Sequence, residues 1–127
     1  MGKVFNNLVL TAVLAGSAST TLGQKSNEIF IPIGQSPGLS GKYTMIARVQ
    51  ALDTADRSVT VTDAAGASVT VRPNPQTAIW LDRSQLKQPN RRGDFSDFRK
   101  DMTVELKFRN NDRRDGVVEW IKLQAVE

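Results

Sequence analysis

The chain has 127 residues, 17 Lys and Arg against 13 Asp and Glu, a formal charge of +4, and neither histidine nor cysteine. That length is one domain. The missing residue types exclude disulfides, cysteine nucleophiles, Ser-His-Asp triads and most zinc, copper and haem sites. The basic residues are not pooled. Arg91-Arg92, Arg99-Lys100 and Arg113-Arg114 stand beside Asp94, Asp97, Asp101, Asp112 and Asp115, and such mixed signs mark a solvated surface rather than a polyanion track.

The N-terminus opens with Lys3 as its one cation, runs through the apolar stretch Leu8–Gly16, and continues in small and polar residues to Gln24. A cation, a short apolar run and a small-residue tail are the three parts of a secretory signal peptide. Residues 1–23 are therefore expected to be a signal, cleaved near residue 18–24, with Ala18 and Gly23 both fitting its last position. The apolar run is shorter than the roughly 20 residues that span a bilayer. There is no cysteine for lipid attachment and no twin-arginine pair. The alternative is a tail on a cytosolic protein. An exported chain without disulfides fits the periplasm or outer surroundings of a bacterium, so the expected location is periplasmic or secreted.

Residues 24–41 read as an extended apolar arm. Pro32 and Pro37 fix φ and remove donors, so neither a long helix nor a central strand runs through. Ile29, Phe30, Ile31 and Ile33 are too apolar for a free linker, and the arm is expected to lie along the domain as an edge strand.

From Lys42 the period is two. Tyr43, Met45, Ala47, Val49 and Ala51 alternate with Thr44, Ile46, Arg48 and Gln50. Val59 and Val61 form a second strand, and Asp63-Ala-Ala-Gly66 a hairpin loop. Val69 and Val71 form a third strand, stopped by Pro73-Asn-Pro75. Thr77–Leu81 is a short fourth run. Residues 82–101 break the pattern, with single helical turns expected at Ser84–Gln88 and Asp94–Phe98. Phe95 and Phe98 are read as a plug at one end of a barrel. Met102, Val104, Leu106 and Phe108 give the clearest strand. Asn110–Gly116 is a hairpin loop, and Val117–Val126 is a last strand that slips around Glu119 and Trp120, which predicts a bulge.

Chemistry has few footholds. The pairs Asp53/Asp56, Asp94/Asp97 and Asp112/Asp115 could serve as acid and base, but each sits in a polar loop where turn and cap bonding explains it. Asn110, Asn111, Asp112 and Asp115 lack calcium-loop spacing, and Arg113 and Arg114 would repel a cation. Ser40-Gly-Lys42 lacks the glycine and the Ser or Thr of a phosphate loop. Arg92-Gly-Asp94 is explained by a turn. Strands two and three carry hydroxyls and no aromatic ring, which argues against a base-stacking platform for nucleic acid. Trp80 and Trp120 are assigned to core packing.

Two segments, Ala47–Asp63 and Asp97–Phe108, resemble the strand pairs of small exported bacterial OB-like β-barrel domains of unknown function, with Lys100-Asp101 standing where that group has glycine-aspartate. The resemblance, over residues 43–126, implies a small barrel in the cell envelope and transfers no catalytic residue. The expected fold is thus all-β, a five- to six-stranded antiparallel OB-like barrel over residues 42–127, following the signal and arm. An open β-roll or a sandwich fits the same strands. The expected function is an exported, non-enzymatic binding or interaction domain of the bacterial envelope, without cofactor or metal. Its partner would be another envelope protein or a cell-surface component, and no transmembrane segment remains after signal removal. Ile29, Phe30, Ile31 and Ile33 are the candidate docking residues. The alternative is a binder of anionic polymers (nucleic acid, lipopolysaccharide or acidic polysaccharide) through Arg91, Arg92, Arg113 and Arg114.

Overall fold

The computed structural model describes residues 27–126; the expected signal, residues 1–23, lies outside them. The described chain is all-β. Its strands are β1 (Thr44–Asp53), β2 (Ser58–Asp63), β3 (Ser68–Val71), β4 (Ala78–Asp82), β5 (Arg91–Arg92), β6 (Thr103–Phe108) and β7 (Val118–Gln124), with three-residue 3-10 turns at Ser84–Leu86, Phe95–Asp97 and Arg109–Asn111. No helix among the described residues is long and apolar enough to cross a membrane.

The strands form one sheet in the order β3-β2-β1-β6-β7-β4-β5. β1, β2 and β3 are a meander, and β6 and β7 a hairpin that joins it through β1. β4 runs parallel to β7. The antiparallel expectation therefore fails at one ladder. Pro73 and Pro75 lack an N–H to donate and stop β3, and the chain does not return beside it as a hairpin. It crosses instead and lays β4 along β7.

The expected barrel is also corrected, because the sheet is not closed. Its edges are β3 and β5. Contacts outside the ladders also join distant parts of the sheet: Arg113 of the β6–β7 connection lies 3.5 Å from Asp63 at the end of β2, and the guanidinium of Arg57, between β1 and β2, lies 4.7 Å from the Phe95 ring centroid. There are seven strands rather than five or six. The extra one, β5, has two residues, too few to show any period.

Alternation is obeyed where it decides the core. Met45, Ala47, Val49, Val59, Val61, Val71, Val104, Leu106 and Phe108 are buried on the inner face with Ile79, Leu81, Ile121 and Leu123. Each such aliphatic side chain contributes roughly 1.5–3 kcal/mol by leaving water. Phe95 and Phe98 belong to this core, their rings 5.5 Å apart. The expected bulge is present. Lys107 faces Trp120 and Phe108 faces Val118, so Glu119 is skipped. Val118 and Ile121 can then both point inward, with Trp120 and Lys122 outward.

Residues 27–43 are not an edge strand. They are a chain of turns, with Phe30 N–H bonded to Asn27 O, Gln35 N–H to Pro32 O, and Tyr43 N–H to Leu39 O. A Cβ on Gly34, at φ 83, would meet the Ile46 side chain at 3.8 Å, so the turns lie on the outer face of the sheet.

Asp101 has φ 71, which strains any residue with a Cβ. Its N–H bonds to Val49 O at 2.8 Å and its O accepts from Arg48, so only main-chain atoms are used. Asp101→Gly is expected to raise stability by about 0.5 kcal/mol, the relief of the left-handed conformation less the entropy glycine loses. A urea midpoint that falls would contradict this.

Candidate functional site

The outer face of the sheet is built by register. Ile46 faces Glu105, Glu105 faces Lys122, Lys122 faces Trp80, and Trp80 faces Arg92. A staggered second row runs Thr44, Lys107, Trp120 and Ala78. Period-two alternation places both rows on one surface. Solvent would suit these residues, yet Glu105 is 0% exposed, Lys122 1% and Asp82 2%. The turns of residues 28–40 cover them.

That cover is fastened by charge-assisted hydrogen bonds. Glu105 accepts from Gly34 N–H at 2.9 Å, Ser40 Oγ at 2.7 Å and Thr44 Oγ1 at 2.7 Å. Lys122 Nζ donates to Glu28 Oε1 at 2.9 Å and Ser36 Oγ at 3.2 Å. Ser36 Oγ donates to Glu28 Oε1 at 2.7 Å. Asp82 accepts from Ile33 N–H and Ser84 N–H, each at 2.9 Å. No buried side-chain nitrogen or oxygen among the described residues lacks a partner, as buried polar groups require.

Beside the cover, over Trp80, Trp120 and Ala78, lies a cleft of about 540 Å³. Trp80 and Trp120 form its floor, ring centroids 5.7 Å apart and tilted by 33°. Ala78, the ladder partner of Trp120, also lines the cleft, and Ile29, Phe30 and Leu39 of the cover form one wall. Phe30 is 67% exposed. The polar rim holds Glu28, Gln76, Arg92, Lys107 and Glu119. Two of its cation–anion pairs are internal: Lys107 lies 3.5 Å from Glu119, and Glu28 holds Lys122. Arg92 is exposed and makes no ion pair among the described residues.

The residues singled out from the sequence fall apart into two groups. Ile29 and Phe30 line the cleft, while Ile31 and Ile33 are half-buried in the cover. Arg91 and Arg92 lie in β5, and Arg113 and Arg114 in the β6–β7 connection. Arg91 is 4.0 Å from Asp97, Arg113 3.5 Å from Asp63, and Arg114 3.5 Å from Asp112. Three of the four thus already face a carboxylate, and no shared group joins the two pairs.

The aspartates occupy turns. Asp53 accepts from Ala55 and Asp56 N–H, and Asp94 and Asp97 form a reciprocal cap. Asp112 accepts from Arg114 N–H and Asp115 pairs with Arg109. Hydrogen bonds from the Ser58 and Arg72 side chains hold the Asp56 carboxyl below its usual range. Its small contribution to stability is present at neutral pH and is lost as the pH falls through the carboxylate range. Among the described residues no three acidic side chains gather as metal ligands.

Trp80, Trp120, Leu39, Glu105, Lys122 and Asp82 were not legible as site residues. A signal existed for the tryptophans. Ile79, Leu81 and Ile121 occupy the core phase of β4 and β7, so Trp80 and Trp120 take the opposite phase, and two tryptophans on a nominally polar face require a cover. No protein-family model, no curated protein and no solved structure matches this chain.

Proposed function

We propose that the protein is a non-enzymatic binding domain of the bacterial cell envelope, and that the cleft between the cover and β4–β7 is its ligand site. The observation that carries this is the tryptophan pair flooring an apolar cleft of about 540 Å³ with a few polar groups at its rim. Small-molecule sites have this size and this mixture. Export is supported by the signal-like residues 1–23, and the absence of cysteine fits a bacterial rather than a eukaryotic exported domain. An OB-like plan is supported by the strand pairing: a meander, its first strand shared with a later hairpin, and a parallel contact between β4 and the last strand, as in a partly open Greek-key barrel.

A neutral naphthylamine dye that brightens in apolar surroundings tests the site. It is expected to bind the full chain saturably. Ala78→Phe, which puts a ring into the cleft beside Trp120, is expected to weaken the dye at least tenfold while the circular dichroism stays unchanged. A folded Ala78→Phe protein that binds dye as before would remove the cleft as the site.

A further inference from the structure

We infer that the cleft takes a small amphipathic carboxylate, its alkyl or aromatic body lying on Trp80 and Trp120 and its charged head paired with Arg92. This rests on the cleft being a ligand site and adds the ligand's chemical class. The argument is one of charge and placement. The wall made by Ile29, Phe30 and Leu39 offers nothing to an ionic group and the negative ring faces of the floor do not attract an anion, so burying an unpaired carboxylate there is costly. At the rim, Glu119 answers Lys107 and Lys122 answers Glu28. Arg92 remains as the one rim cation without a carboxylate among the described residues. Its position is fixed by the ladder, opposite Trp80. A guanidinium presents two parallel donors to a carboxylate, so it orients an anionic head while the body lies on the neighbouring ring.

The same geometry selects against other ligands. An amine of equal shape would meet Arg92 and be repelled. A long polyanion would need a row of unpaired cations, and Arg91, Arg113 and Arg114 already have acidic neighbours. A neutral ligand uses the floor but gains nothing from the rim.

The chain contains two tryptophans, and both floor the cleft, so intrinsic tryptophan fluorescence reports occupancy directly. The purified full chain is titrated with octanoate, octanol and octylamine at moderate salt. Octanoate is expected to bind saturably and at least tenfold more tightly than octylamine. Arg92→Gln is expected to weaken octanoate about tenfold and leave octanol unchanged. Arg91→Gln, the adjacent residue on the strand, is expected to change neither. Equal binding of octanoate and octanol, with no effect of Arg92→Gln, overturns the carboxylate assignment and leaves the cleft as a neutral apolar site. No response to any of the three, together with failure of the neutral dye, overturns the cleft itself. Octanoate binding that survives Ala78→Phe places the anion elsewhere and also overturns the assignment.

Discussion

Glu105→Ala is expected to destabilise the protein by about 3–5 kcal/mol, although the sequence places Glu105 on the polar face of a strand. Its carboxylate is fully buried and accepts three hydrogen bonds, two that tie Gly34 and Ser40 of the cover to the sheet and one from Thr44 of β1. Truncation leaves those donors under the cover with no acceptor. Each orphaned buried donor costs about 1–3 kcal/mol. Part of this is offset, because the mutation also removes a desolvated charge. Glu105→Gln keeps the shape and one acceptor but turns its amide donors toward existing donors, so about half the loss is expected. Glu119→Ala is the comparator. Glu119 is exposed and its ion pair with Lys107 lies at the surface, where such pairs contribute under about 1 kcal/mol. For a domain of this size the Glu105→Ala loss lowers the thermal midpoint by roughly 12–25 °C. If Glu105→Ala unfolds at the same temperature as Glu119→Ala, the cover is not held by this carboxylate.

The strands were legible because a period of two needs only four or five residues to declare itself. Met45, Ala47 and Val49, or Val104, Leu106 and Phe108, declare their inward face without any tertiary information. The slip at Glu119 was legible for the same reason, since a single bulged residue disturbs an otherwise regular count. Pairing across long separations was not. Nothing local to Ala78–Asp82 says that it will lie parallel to Val118–Gln124, because the contact is decided by where the two prolines after β3 send the chain. The outer face is hidden by the same gap. Alternation marks Glu105, Lys107 and Lys122 as polar and leaves solvent as the default partner. It is the Pro- and Gly-punctuated stretch of residues 28–40, folded into turns rather than an edge strand, that changes this environment. Ile29 and Phe30 were recognised as too apolar for a linker, and they do line the cleft, but the opposing tryptophans belong to strands 50 and more residues away.

Lys122→Met is expected to cost about 3 kcal/mol, and Glu28→Gln in the same chain is expected to restore most of it. Lys122 is 1% exposed and holds Glu28, 94 positions earlier, at 2.9 Å. Removing one member of a buried pair strands the other's charge, a loss of about 3–5 kcal/mol. The low end is expected here, because Glu28 retains 16% side-chain exposure and can turn toward water. It does so by lifting the start of the cover, and Ile29 and Phe30 follow it. The single mutant should therefore lose dye affinity as well as stability. Methionine suits the vacated space, since a thioether packs well beside the Trp120 ring that now lies 4.8 Å from Nζ. With Glu28→Gln added, neither member of the pair carries a charge and Ser36 Oγ can still reach the new amide. Replacing both members of a buried pair by neutral groups is often nearly neutral. The thermodynamic cycle of the two singles and the double, read from urea midpoints, measures the coupling directly. Coupling near zero would mean that the cover rests on the sheet by apolar contact alone. Strong coupling with unchanged dye affinity in the Lys122→Met protein would mean that the wall of the cleft is held by Glu105 and Asp82, independently of this pair.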